Sequence, residues 1–217
     1  MTIATQQALS GLRDLSMIKW YVIPLLAIVG YIYAREIKEA RQTKNWNAVL
    51  AGLTIFGVAF FNETWNGWVM YLTQRSAFWT TPGDTALRTL VGWNIEIMFM
   101  FLIIGIIYYH TLSESTKEKI LGIPEKWFWA IGFSAFCVFV ECLLNIGGHL
   151  VWEYPFWYLS FKGIWLIFFF GYFHFFCFAI LVISLKSMKA KLTTVGIIYA
   201  VPILMNIVAL GFLGWRY

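Results

Sequence analysis

The chain has 217 residues, of which 60% are hydrophobic, 20% are aromatic and only 12% are charged. A soluble domain is about half apolar and about a quarter charged, so this excess of apolar residues is typical of a chain buried in a lipid bilayer. The net charge of +5 comes from basic residues in short segments between apolar runs. Such a distribution indicates orientation in a membrane and not nucleic-acid binding.

Six apolar segments are each close to the roughly 20 residues that a helix needs to cross a bilayer. They occupy residues 17–34, 47–73, 90–110, 127–151, 164–185 and 192–215. Because no strand-like alternation separates them, we predict an all-α, polytopic membrane helix bundle of about six transmembrane helices, or at most seven. Residues 1–217 then form a single transmembrane domain, with residues 1–16 as a candidate interfacial helix.

The positions of the basic residues predict how the helices are oriented. The segments after the first, third and fifth spans contain ten of the 16 Lys and Arg residues. Cytoplasmic loops are enriched in these residues, so we expect both termini to be non-cytoplasmic. The expected location is a bacterial-type inner membrane, and the sequence does not determine the oligomeric state.

Three acidic residues, Glu63, Glu96 and Glu141, lie well within the predicted spans. An ionised carboxylate at the bilayer centre costs at least roughly 2.5–3.5 kcal/mol on insertion scales. No Lys or Arg lies deep in a span to compensate them, so each needs another internal partner or a function. In the predicted topology all three lie toward the same side of the membrane.

Polar residues follow one face of the fourth span, where Glu141, Asn145, His149 and Trp152 fall within about 80° of one another on a helix. Such a stripe faces the bundle interior or a cavity and not lipid. The predicted catalytic residues are Glu63, Glu141, Glu96 and His149, and the predicted substrate-binding residues are Asn62, Trp65, Asn66, Asn94, Asn145, Trp152, Glu153 and His174.

A short loop follows the stripe and begins at Glu153. We expect this loop, together with residues 79–84, to close the outer mouth of the cavity. Because histidine titrates near physiological pH, His149 is predicted to pass protons between Glu153 and Glu141.

Carboxyl groups that share a site of low dielectric cannot all be ionised, which leaves a neutral acid beside a carboxylate base. A neutral acid can protonate an alkene or epoxide, and aromatic faces can stabilise the resulting cation. This chemistry favours an integral-membrane enzyme of lyase or isomerase type that isomerises, cyclises or hydrates an isoprenoid or other lipid-like substrate. The chain contains neither a G-x-G-x-x-G sequence nor a Walker-type loop, so we expect no organic cofactor.

The segment from Asn62 to Asn66 reads Asn-Glu-Thr-Trp-Asn. It resembles the Asn-x-x-Trp-Glu pattern in one span of the small integral-membrane terpene cyclases of meroterpenoid pathways, except that the acid is Glu63. The resemblance covers these residues alone. It implies a multi-helix fold and a role for Glu63 in protonating an epoxide or alkene.

Two other functions stay open. Intramembrane carboxylates also occur in proton relays, which would suit a small proton-coupled transporter, although the chain has no clear inverted repeat. A metal-dependent membrane enzyme could use carboxylates with His149 and His174, but no span contains Glu-x-x-His. We therefore predict no metal site, and a membrane lipid or hydrophobic small molecule as the partner.

Overall fold

The protein is described by a computed structural model that covers residues 1–113 and 118–217. Helices dominate it, and the predicted polytopic helical fold is confirmed. The helices are α1 (Ile3–Ser10), α2 (Val22–Thr43), α3 (Asn47–Thr73), α4 (Ile95–His110), α5 (Glu125–Ile146), α6 (Phe161–Leu166), α7 (His174–Ser184) and α8 (Met188–Asn206).

Two segments of π-helix extend the helices near the C-terminus. The first, Ile167–Phe173, joins α6 to α7, so that Phe161–Ser184 is one continuous helix. The second, Ile207–Phe212, continues α8. A π-helix widens the turn and leaves backbone carbonyls without their usual partners, which makes such segments frequent at functional sites.

Four of the described helices are long and apolar enough to cross a membrane: Asn47–Thr73, Glu125–Ile146, Phe161–Ser184 and Met188–Phe212. The remaining two predicted spans also correspond to helices. Of these, α4 is apolar but has only 16 residues, and the C-terminal half of α2 is charged.

The predicted limits of the spans are correct for α3 and wrong elsewhere. The third span begins at Ile95 and not at residue 90, because β2 (Arg88–Leu90) and β3 (Trp93–Asn94) form a hairpin there. The fourth ends at Ile146, where Gly147 and Gly148 follow and Gly148 adopts a φ of 73°, a conformation that a glycine adopts at no steric cost.

Short strands accompany the helices without changing the predicted all-α fold class. Besides β2 and β3, the structure contains β1 (Trp79–Thr80), which pairs with β6 (Val151–Trp152), and β4 (Lys119–Ile120), which pairs with β5 (Ile123–Pro124). Each pairing is antiparallel and spans only two or three residues. Segments this short carry no alternating pattern that a sequence could reveal.

Helix α3 lies at the centre of the bundle and packs against α2, α4, α7 and α8. Its contact with α4 is close because small residues meet there: a Cβ on Gly105 would lie 2.5 Å from the carbonyl oxygen of Ala51. Small residues allow this approach of two membrane helices, whose association depends on van der Waals packing.

A cap covers one end of the bundle; it consists of α1, the β1–β6 ladder, the β2–β3 hairpin and the C-terminal residues. Arg88 lies at its centre, 1% exposed, and donates to the carbonyl oxygens of Thr81, Gly83 and Ala8 at 2.7–3.0 Å. Burial lowers the pKa of Arg88, which the nearby carboxylate of Glu96 partly opposes. A guanidinium with so high an ordinary pKa stays charged under physiological conditions.

Both chain ends belong to this cap. Arg216 donates to the carbonyl of Leu9 at 3.1 Å, and Thr5 and Ala8 of α1 are fully buried. The candidate interfacial helix of residues 1–16 is therefore a shorter helix packed on the cap. That the termini are non-cytoplasmic stays a prediction.

Candidate functional site

A cavity of about 430 Å³ lies beneath the cap, between α3, α4, α5 and the first π-helix segment. Such a volume is within the range of about 300–1,000 Å³ that is typical of small-molecule sites. Most of the lining is apolar or aromatic, and its acidic side chains are Glu63 from α3 and Glu141 from α5. Among residues 1–113 and 118–217, no Lys or Arg side chain lines the cavity.

Glu63 is only 5% exposed, and both of its carboxylate oxygens accept a hydrogen bond from the indole Nε1–H of Trp79, at 3.0 and 3.1 Å. Trp79 belongs to β1 in the cap. The cap therefore supplies the donor that a buried carboxylate on a membrane helix requires.

Glu141 is held in the same way. It is 5% exposed and accepts a hydrogen bond from Nε1–H of Trp152 at 2.9 Å. Tyr172 lines the same cavity as both carboxyl groups and lies in the first π-helix segment, so this segment, α3 and α5 all contribute to the lining.

The two arrangements are linked, because Trp79 and Trp152 are directly paired in the β1–β6 ladder. Asn66, one turn after Glu63 on α3, holds β1 in place. Its side chain accepts from the backbone N–H groups of Phe78 and Trp79, at 2.8 and 3.3 Å, and donates to the carbonyl of Trp79 at 2.8 Å. Asn66 therefore positions Trp79, and through it Glu63.

A third polar contact borders the cavity at Asn62. Its amide donates to the carbonyl of Phe170 at 3.0 Å, and its Oδ1 lies 3.2 Å from Nε2 of His174. Phe170 is in the π-helix segment and His174 follows directly after it. The contact fixes this irregular stretch of helix against α3.

The lining of the cavity between α4 and α5 includes exposed apolar side chains. These helices touch far less than α3 and α4 do. Met100 and Ile107 of α4 and Phe136 and Leu144 of α5 line the cavity and are also exposed on the outer surface, Phe136 by 60%.

Comparisons with known proteins place the chain in a family. A model described as an uncharacterized membrane protein family matches residues 2–211. The chain belongs to this family. A protein of Archaeoglobus fulgidus, described as uncharacterized, is 43% identical to it over 214 residues, which is 99% of each chain. No solved structure matches the chain.

Membership of this family supports an integral membrane protein and does not support the terpene cyclase resemblance. The structure also separates the two residues that carried the resemblance. Asn62 lines the cavity, whereas Trp65 is 45% exposed on the outer face of α3. Trp65 therefore does not line this cavity, and its role in binding substrate stays a prediction.

Glu96 does not line the cavity. It lies in the first turn of α4 and accepts hydrogen bonds from the hydroxyls of Tyr21 and Thr85 and from the backbone N–H of Ala86. These partners attach α4 to the cap. These contacts indicate a structural role for Glu96, and its predicted catalytic role stays a prediction.

The predicted proton relay through His149 is also not formed. The imidazole of His149 is exposed beside Gly147, since α5 has already ended and the chain turns away from the helix axis. Glu153 accepts hydrogen bonds from the hydroxyls of Thr2 and Thr5 and so holds the N-terminal helix. The helical angles that placed His149 on the same face as Glu141 do not apply beyond Ile146.

Two further predicted residues have local structural contacts. Asn94 caps α4, with its side chain accepting from the backbone N–H of Ile97 at 2.9 Å. Asn145 donates to the carbonyl of Leu150 at 3.0 Å and holds the turn between α5 and β6. Neither of the two lines the cavity.

Sequence reasoning missed Tyr172 as a site residue, and it assigned Trp79 and Trp157 only to loops at the mouth of the cavity, not to its lining. Tryptophan at the end of a span is usually interfacial, and nothing in the sequence distinguishes Trp79 from the exposed Trp65.

In the part of the chain that the structure describes, no three His, Cys, Asp or Glu side chains come together as a candidate metal site.

Proposed function

We propose that this membrane protein is an enzyme that carries out acid–base chemistry on a lipid-soluble substrate, with Glu63 and Glu141 as the acid and the base. One observation carries the proposal. Both carboxyl groups line a single apolar cavity, and paired tryptophans of one ladder hold them there.

Charge balance supports a proton-transfer role. Two ionised carboxylates in an apolar cavity need compensation, and no lining side chain among the residues that the structure describes is cationic. A proton shared by the two groups supplies it, which leaves one group able to donate a proton and the other able to accept one.

The rest of the lining suits a carbocation-like transition state. Phe101, Phe133, Phe175 and Tyr172 line the cavity together with Trp79, and aromatic faces attract positive charge. The substrate class that fits is an unsaturated lipid such as an isoprenoid, and the reaction is its isomerisation, cyclisation or hydration. In an isomerisation, the acid protonates one alkene carbon and the base removes a proton from another.

The exposed apolar lining between α4 and α5 favours a substrate that arrives from the bilayer. A polar solute would have to cross the apolar surface of Met100 and Phe136 to reach the carboxylates. Such a path supports lipid chemistry more than the transport of a water-soluble molecule.

Exchange with heavy water tests the function in a mixture of lipids, so that no single substrate has to be chosen. Purified protein is incubated with a membrane lipid extract in D2O, and the lipids are compared by mass spectrometry. We expect one isoprenoid lipid to gain a carbon-bound deuterium or to change retention time. Glu63→Gln and Glu141→Gln should each lower this rate by about 10²-fold or more, the usual contribution of a general acid or base.

The matched control is Glu153→Gln, which alters a carboxylate of the cap outside the cavity. It should keep wild-type turnover. If no lipid is altered by the wild-type protein, or if both cavity variants keep full activity, then the carboxylates are not an acid–base pair.

A further inference from the structure

The basic residues at the two ends of the bundle differ in how their side chains are used. At the cap end, five of them donate to carbonyl oxygens or to a carboxylate of the protein: Arg13, Lys19, Arg75, Arg88 and Arg216. At the opposite end, four exposed basic side chains of α2 and its C-cap have no hydrogen bond or ion pair within residues 1–113 and 118–217: Arg35, Lys38, Arg41 and Lys44. These charges are therefore free to meet a partner outside the chain.

Helix α2 carries its free charges on its exposed apolar face. Ile23 and Tyr31 lie on this face and are 74% and 69% exposed. At 100° per residue, Arg35, Lys38 and Arg41 fall within about 120° of one another, in the same sector as Ile23 and Tyr31. The face that meets the hydrocarbon of the bilayer therefore continues directly into a basic face.

The acidic residues of α2 do not neutralise this face. Glu36 is directed to α4, where one carboxylate oxygen lies 2.9 Å from Nε2 of His110, and its side chain is only 11% exposed. Glu39 lines a polar cavity together with His110. The exposed face of α2 therefore has an excess of positive charge.

The basic face also lies at the depth of a phospholipid head group. Helix α2 begins at Val22, directly after Tyr21, whose hydroxyl donates to Glu96 below the cap. Arg41 is about 28 Å further along the helix axis, at 1.5 Å per residue. The hydrocarbon core of a bilayer is about 30 Å thick, so a helix that crosses it from the cap brings these cations to the phosphates of the opposite leaflet.

Helix α8 shows a similar arrangement at this end of the bundle. Lys191 in its first turn donates to Asn47, the first residue of α3, so α8 begins at the end away from the cap. Lys186 and Lys189 are exposed there, and the exposed Leu192 follows within one turn of Lys189. Two helices with exposed apolar faces therefore carry exposed cations at the same level.

We propose that the face of α2 formed by Arg35, Lys38 and Arg41 binds the phosphate of an anionic phospholipid in the leaflet opposite the cap. A guanidinium can donate to two phosphate oxygens at once, and the ammonium of Lys38 adds a point charge between the two arginines. A zwitterionic head group carries its own cation, so it gains less from a basic face. The site does not depend on the proposed acid–base chemistry.

Thermal unfolding of the purified protein in detergent tests this site, because a lipid that binds the folded state raises the melting temperature. Dioleoyl phosphatidylglycerol and dioleoyl phosphatidylcholine have the same chains and differ in head-group charge. From the lipid concentration that gives half of the maximal shift, the wild type should bind phosphatidylglycerol about tenfold more tightly, or better. One basic residue near anionic lipid contributes about fivefold, so Lys38→Gln should lower this affinity about fivefold. The triple variant Arg35→Gln/Lys38→Gln/Arg41→Gln should lose the preference.

Lys162→Gln is the matched control, because Lys162 is an exposed lysine at the cap end, in the first turn of α6. It should leave the preference unchanged. The proposal is overturned if the wild type does not prefer phosphatidylglycerol, if the triple variant keeps the preference, or if Lys162→Gln lowers it as much as Lys38→Gln does. Inorganic phosphate at the same concentration should not raise the melting temperature; a shift equal to that of the lipid would mean that a soluble anion occupies the site, which contradicts the proposal.

Discussion

The hydrogen bond between Trp79 and Glu63 can be tested by Trp79→Phe. Phenylalanine keeps an aromatic ring beside Trp157 but removes the donor that serves both oxygens of Glu63 at 3.0 and 3.1 Å. A buried polar group that loses its partner costs about 1–3 kcal/mol. For a chain of this length each kcal/mol corresponds to about 2–4 °C, so the melting temperature in detergent should fall by about 2–12 °C.

A double-mutant cycle separates this bond from general packing. Glu63→Leu removes the acceptor, and once both partners are apolar the loss of the pair is nearly neutral. The double variant should therefore be more stable than the sum of the single losses predicts, by about 0.5–3 kcal/mol. Losses that simply add would refute the claim that Trp79 and Glu63 interact.

The close contact of α3 with α4 predicts that Gly105→Ala lowers stability by about 1–3 kcal/mol, because the new methyl would meet the backbone of Ala51. Gly30→Ala is the matched control, since a Cβ there would have nothing within 4 Å. Chemical denaturation measures the stability of both variants. His149→Phe and Trp65→Phe should each change stability by less than about 0.5 kcal/mol and leave deuterium incorporation unchanged. The exposed position of His149 argues against a proton relay through its imidazole. A loss of turnover in His149→Phe would instead support that relay.

The helical bundle and two of its carboxylates follow from the sequence. Long apolar runs and a bilayer of fixed thickness leave few alternatives for the fold. Glu63 and Glu141 stand out because an acid deep in an apolar run needs a reason. Asn62 was found in the same way, from its place beside Glu63 on one face of α3.

The sequence-based predictions that the structure does not bear out concern residues placed by contacts that the helical period does not describe. Glu96 appears equally deep in the sequence, but the β2–β3 hairpin shortens its span and brings a loop over it. His149 and Glu153 lie beyond a glycine pair that ends α5, so helical angles no longer place them. Trp79 and Tyr172 are site residues through a two-residue ladder and a π-helix segment, which leave no periodic signal in the sequence.

The most direct test of the central claim is the rate of deuterium incorporation in the double variant Glu63→Gln with Glu141→Gln. Two groups that exchange one proton act as a unit, so losing either should remove nearly all the catalysis that both provide. The rate of the double variant should then equal that of each single variant. Single losses that multiply in the double variant would show that the two carboxyl groups act independently, and would contradict the account.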